Sequence, residues 1–341
     1  MSILKNALNR PAIALLFFIS ACKNKPAEVP GPLSANPAYK SINDSIAQFP
    51  DRDSLYLRRA LRLSRDNAHE WAYGDFRKAF TLNPTLDNAL PYATNLEILG
   101  KRNEKMALLN EMNKKYPDNP RVSRLLAEGF AASGDPRQAL RIYDALIERD
   151  SLNPEPYYEK ALLLEQNNDK PGAIACLQKA FALQQVDTYG LELAMLYAEQ
   201  KDARALEICN SILRSDSARI QTDPLFIKGI YFANIRQFQK AITQFDSCIA
   251  RDWKTTDAYL EKGRAYFQMK KFKEAMQTFT MAVTVTQTDP DAYYWLGRSL
   301  EAQNRNFEAI QNYQRALSLE RNFPEARERI EKLRGFAHPS E

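Results

Sequence analysis

The sequence predicts an all-α protein built as an array of helical hairpins, and three observations carry that expectation. The first is length: 341 residues exceed what one compact core usually supports, so the chain is multidomain or a repeat array. The second is composition. Hydrophobic residues at 45% and charged residues at 26% suit a folded chain, and abundant Ala, Leu, Gln, Glu and Lys favour helix over sheet. The third is a double periodicity. Small residues recur at Ala60, Thr94, Ala127, Ala161, Ala194, Gly229, Gly263 and Gly297, in steps of 33 to 35 residues. A second series, Ala72, Met106, Ala139, Ala173, Ala205, Ala241, Ala275 and Ala309, runs beside it. Two registers held over eight units mark a repeat architecture.

Taken in sequence order, the first feature is Lys5 and Arg10 ahead of the apolar run Ala12 to Ile19, AIALLFFI. About twenty apolar residues are needed to cross a bilayer core, so this run suits the apolar region of a signal peptide instead. The following Ile19-Ser20-Ala21-Cys22 resembles the lipobox of bacterial lipoproteins: a branched apolar residue, two small residues, then cysteine. That resemblance implies removal of residues 1–21 and lipid on Cys22. An ordinary signal peptide with a nearby cysteine is the alternative, but the order of apolar run, small residues and cysteine favours the lipoprotein. Residues 22–37 follow as a tether, for Lys23 to Pro37 holds four prolines and few apolar side chains. Lys23 is not the aspartate that retains some lipoproteins in the inner membrane, so the resemblance favours the outer membrane. Residues 38–52 are expected to form a flanking helix around YKSINDSIAQ, Tyr39 to Gln48.

Residues 53–323 hold the repeats. The clearest is DAYYWLGRSLEAQNRNFEAIQNYQRALSLE, residues 291–320. Tyr293, Leu296, Gly297 and Leu300 share one face of a first helix, and Ala309, Tyr313 and Ala316 share one face of a second. Glycine or alanine at the crossing lets the two backbones approach, and aromatic rings fill the space beside it. Residues 257–283 and 223–249 match this unit nearly as well. The pattern resembles the tetratricopeptide repeat (TPR) family. That resemblance implies a right-handed superhelix of about eight hairpins, whose first helices line a concave groove for peptides or helices of partner proteins. Unit two departs most: Thr94 and Met106 stand at small-residue positions, and Asn110 and Asn113 at apolar ones.

Asn153-Pro154, Asp223-Pro224 and Asp289-Pro290 place a capping side chain before a first-turn proline, as Asp135-Pro136 does for a second helix. The wider step from Ala205 to Ala241 puts a longer loop at residues 215–222, either a flex point or a surface insertion. Residues 324–341 are expected as a capping helix and short tail, because PEARERIEKLR is charged enough to face solvent.

Catalytic chemistry is not visible. The two histidines, His69 and His338, have no neighbours at ligand spacing, and HExxH, GxSxG, phosphate-loop and CxxC motifs are missing. The expectation is a protein that is not an enzyme and uses no metal or cofactor. A net charge of +5, spread along the sequence, argues against nucleic acid as a partner. Cys176, Cys209 and Cys248 sit at apolar positions of second helices about a repeat apart, beyond easy disulfide reach, and are expected free.

In the TPR family, groove-facing positions lie three before, one after and four after the small residue. Here the resemblance selects Arg124, Glu128, Tyr158, Leu162, Phe226, Ile230, Arg264, Phe267, Tyr294 and Arg298. Arginines among aromatic and aliphatic anchors are typical of protein-binding surfaces. Arg264 and Arg298 either receive a carboxylate beside an apolar side chain or pair with Glu261 and Glu301. The family's clamp of lysines and asparagines is not reproduced, so a chaperone-tail ligand is not implied. The expected function is a lipid-anchored, periplasm-facing scaffold in a cell-envelope complex serving outer-membrane protein assembly, secretion, motility or cell-wall synthesis. The alternative is a carrier for a peptide, glycan or peptidoglycan fragment stacked on Tyr158, Phe226, Phe267 and Tyr294.

Overall fold

The computed structural model describes residues 36–337, with side chains through Arg334. Residues 1–35, including the signal-peptide segment 1–21, Cys22 and nearly all of the tether, lie outside the described residues, as does His338. Every regular element among the described residues is helical. A short 3₁₀ turn, Pro37–Tyr39, leads into α1 (Lys40–Gln48). Helix pairs follow: α2 (Asp53–Arg65) with α3 (His69–Leu82), α4 (Leu86–Ile98) with α5 (Arg102–Lys115), and α6 (Pro120–Ala132) with α7 (Pro136–Arg149). Next come α8 (Pro154–Gln166), α9 (Lys170–Leu183), α10 (Asp187–Glu199) and α11 (Arg204–Ser215). The last pairs are α12 (Asp223–Asn234) with α13 (Phe238–Arg251), α14 (Thr256–Gln268) with α15 (Phe272–Val285), and α16 (Pro290–Glu301) with α17 (Asn306–Leu319). The final helix is α18 (Pro324–Ala337).

The protein forms two compact units that divide between Ala173 and Ile174, inside α9. In the first unit each helix from α2 to α8 packs on the next. In the second, each helix from α10 to α18 does so, and the first helices α10, α12, α14 and α16 also touch in sequence to form one layer.

Packing follows one rule in both units. In every second helix but α5 a first-turn residue, the fourth in all of these except α11, where it is the second, is a buried alanine, followed four and seven residues on by larger buried side chains or a further small one. Ala139–Tyr143–Leu146, Ala241–Phe245–Cys248 and Ala309–Tyr313–Ala316 all obey it. The ring sits against the small residue of the first helix. A Cβ added at Gly297 would lie 2.7 Å from the Tyr313 ring, so glycine is what permits this approach.

The second pair corrects the expected register. Thr94 is exposed and the crossing residue is Ala93; Leu109 and Met112 are buried in the apolar positions that the repeat pattern assigns to Asn110 and Asn113. Because α5 starts at Arg102, its fourth residue is Lys105 rather than Met106. Lys105 is buried and reaches out to Glu97, Nζ to Oε2 2.6 Å. A cation in the alanine slot hides the repeat from an apolar pattern.

Turns inside the hairpins are equally regular. A residue of positive φ ends each first helix: Asn67, Gly100, Gly134, Asn168, Lys201, Arg236, Lys270 and Asn304. The next N–H then bonds a carbonyl five residues back, as Ala68 to Leu63 (2.8 Å) and Lys271 to Tyr266 (3.0 Å) do. Among the expected caps, Asn153, Asp289 and Asp135 accept first-turn N–H groups. Asn119 does the same before Pro120. Asp223 does not cap; it is already the first residue of α12. The longer loop before α12 is tied down. Asp216 accepts from the Ile220 and Gln221 N–H groups, each at 3.1 Å, and from Arg251 at 2.6 Å.

Cys176, Cys209 and Cys248 are free thiols, the last two fully buried. Burial pushes the Cys248 thiol up to about 11.

Candidate functional site

Two first-helix faces, one in each unit, gather the charged and aromatic side chains that the sequence marks out. In the first unit α6 carries Arg124 and Glu128, and α8 carries Glu155, Tyr158, Glu159 and Leu162. One guanidinium serves three carboxylates: Arg124 lies 3.4 Å from Glu159 and 3.9 Å from both Glu128 and Glu155. Burial, reinforced by Glu128 and Glu155 against the opposing pull of Arg124, pushes the Glu159 carboxyl up to about 7. The Glu128 carboxyl is also raised, by burial first and then by Glu97, with Arg124 and Lys105 opposing. Tyr143 on α7 is buried, and its hydroxyl is raised by burial and by the nearby Glu159 and Glu128. Tyr158 and Leu162 are half-buried.

In the second unit Phe226 and Ile230 on α12 are half-buried against the core, the Phe226 ring 5.8 Å from Phe245. Arg264 on α14 takes the pairing open to it within its own helix: Nη1 bonds Glu261 Oε1 at 2.6 Å, and its guanidinium lies 5.2 Å from the Trp295 ring. Asp289 and Asp291, near Arg264, have carboxyls raised chiefly by burial. Arg298 on α16 behaves differently. Its guanidinium lies 5.5 Å from Phe267, 5.8 Å from Trp295 and 5.9 Å from Tyr294. It donates to the Tyr294 hydroxyl at 3.1 Å and makes no ion pair among the described residues. Glu301, the partner open to it one turn along, accepts instead from Tyr313 (2.6 Å) and from Arg329 of α18 (3.2 Å).

The structure thus brings Arg264, Phe267, Tyr294 and Arg298 together around Trp295, and Arg124 and Glu128 together around Glu159. Tyr294 turns inward: it is 8% exposed, with its ring 5.0 Å from Phe323 and 5.7 Å from Tyr313. Its hydroxyl accepts from Arg298. Glu159 and Trp295, both two residues before the small residue, are not singled out by the sequence, whereas Glu261 is the partner it offers Arg264. Charged or aromatic residues recurring at that position were the available signal. Among the described residues no His, Cys, Asp and Glu group is placed to hold a metal, and no helix is long and apolar enough to cross a membrane.

Family models for the tetratricopeptide repeat match residues 114–186 and 290–328, and a TPR repeat model matches residues 263–304. This protein carries tetratricopeptide repeats. No curated protein matches it by sequence. Solved TPR structures share the fold at low identity. A tetratricopeptide repeat protein from Parabacteroides merdae ATCC 43184 is 15% identical with a TM-score of 0.50, over 83% of this sequence and 98% of its own. PilW, a type IV pilus biogenesis factor, is 15% identical with a TM-score of 0.53, over 63% and 97%. A component of the APC/C hetero-tetramer Cut9–Hcn1 is 17% identical with a TM-score of 0.52, over 85% of this sequence; the match spans 58% of that component.

Proposed function

We propose that this protein is a TPR interaction scaffold, anchored by lipid on Cys22 and facing the periplasm, whose first-helix faces hold a segment of a protein partner in a cell-envelope complex. The observation that carries the reading is the half-buried cluster of Arg298, Arg264 and Phe267 on the layer of α10, α12, α14 and α16. Aromatic rings and arginines give anchor energy at such surfaces, while the acid-rich face around Glu159 supplies a second, differently charged contact. Lipid and a proline-rich tether would raise the local concentration of partner at the membrane. Likeness to PilW extends to fold, and motility stays one of four candidate pathways beside outer-membrane protein assembly, secretion and cell-wall synthesis. The role is binding rather than catalysis.

Affinity purification from detergent-solubilised envelopes tests this. A stoichiometric protein partner is expected, and Arg298→Glu should lose it while the variant still melts cooperatively. Recovery of this protein alone, with a small glycan raising its melting temperature, would favour the carrier reading. Cys22→Ala should move the folded repeats from the membrane fraction to the soluble one.

A further inference from the structure

Large hydrophobic side chains stand exposed at several points of the second unit, and two of them sit on loops that are tied together. Ile220 is 73% exposed in the loop between α11 and α12, and Trp253 is 61% exposed in the loop between α13 and α14. Arg251 joins the loops: its Nη1 donates to Asp216 Oδ2 and to the Gln221 carbonyl, each at 2.6 Å. Each apolar tip has a cation beside it. Arg219 precedes Ile220, with a φ of +54° that is costly for a residue bearing a Cβ. The Lys254 ammonium lies 5.7 Å from the Trp253 ring. Both basic residues are exposed. The acids that open these loops turn back onto them instead. Asp216 accepts from the Ile220 and Gln221 N–H groups as well as from Arg251, and Asp252 accepts from the Lys254 N–H at 2.9 Å.

We infer that these two loop tips form a second membrane contact, with Trp253 and Ile220 seated among the lipid headgroups and Arg219 and Lys254 on the headgroup phosphates. Nearness to a bilayer rests on the lipid anchor proposed above; the contact itself rests on the tips. A tryptophan beside a basic residue suits a water–lipid boundary, where the ring leaves water and the cation meets negative charge. A protein partner fits this edge less well. Two such side chains offer roughly 400 Å², whereas a stable protein interface needs about 1,000 Å² or more. A bilayer requires only shallow entry, and an anchor already in place makes so weak a contact intramolecular.

The full-length protein is reconstituted in mixed phosphatidylethanolamine–phosphatidylglycerol vesicles, with and without brominated acyl chains. The emission lost in Trp253→Phe isolates the Trp253 signal. That signal should be blue-shifted and quenched by the brominated lipid, and Trp71→Phe should leave the quenched signal in place. Arg219→Glu combined with Lys254→Glu should lower the ratio of inserted to free tips roughly tenfold or more. Ile220→Ser should lower it too, whereas Phe307→Ser, at a residue equally exposed on α17, should change nothing. An unquenched Trp253 overturns the contact. So does shielding of Trp253 from acrylamide without vesicles: shielding that rises with protein concentration marks a second copy, and shielding that requires an added envelope extract marks a protein partner. Protein recovered without lipid on Cys22 overturns the anchor alone, and the same quenching is then read after adding the vesicles to it.

Discussion

Glu159 shows how one buried charge becomes a pH dependence. Its carboxyl is pushed from an ordinary 4.5 to about 7, chiefly by burial and by Glu128 and Glu155. The folded state then binds a proton that the unfolded state has released, so this contribution is complete below about 4.5 and disappears as pH rises through about 7. Glu159→Gln should therefore raise the melting temperature more at pH 8 than at pH 5, measured by thermal unfolding at both. Lys105 is the second case. Its side chain is 9% exposed in a slot that other second helices give to alanine, whereas its partner Glu97 is 55% exposed and readily rehydrated. Lys105 also opposes the burial of the Glu128 carboxyl, but Glu128 keeps Arg124 at 3.9 Å and Glu97 rehydrates, so Lys105→Met should stabilise the first unit by about 1 kcal/mol in urea unfolding.

Helix ends carry the next level of control. Five of the eight hairpin turns use asparagine or glycine at positive φ, where those residues are at ease; Lys201, Arg236 and Lys270 occupy the same conformation with a clashing Cβ. Lys270→Gly should gain about 0.5–1 kcal/mol at 25 °C, whereas Gly134→Ala should lose a similar amount, both read from denaturant midpoints. The turn residues were visible in the sequence as Asn, Gly, Lys or Arg at intervals near 34, yet only the dihedrals reveal them as one series. Asp223 shows the converse. An Asp-Pro pair looks like a cap, but the helix begins at the aspartate itself, because the seven-residue loop folded around Asp216 delivers the backbone one residue earlier.

Across each unit, stability is carried from neighbour to neighbour, since every helix packs chiefly on the ones beside it. The second unit ends on α18, whose Ala326, Ile330 and Leu333 join the core formed by Tyr294, Trp295 and Tyr313. Its outer positions, Glu325, Arg327, Glu328 and Glu331, are exposed, as a terminal cap requires. Deleting residues 324–341 should lower the melting temperature of that unit by roughly 5 °C or more and expose the Tyr294 ring, followed by calorimetry and tyrosine fluorescence. It should also free Glu301 from Arg329.

The all-helical repeat fold was legible because small residues at a crossing and rings four residues beyond them recur whenever hairpins stack. Seven of the eight first-helix markers stand where that pattern puts them. The exception, Thr94 for Ala93, follows from Lys105: a periodicity search weighs residue type, and an ion-paired lysine at a buried slot defeats it. The candidate site was half legible. Arg264 and Arg298 are equivalent in sequence, each following a glycine one repeat apart. Which of them keeps a free charge was decided by the packing of α18, whose Arg329 takes Glu301, and by Glu261, which takes Arg264. Pair formation depends on which donors reach a carboxylate first, and that is a matter of three-dimensional placement.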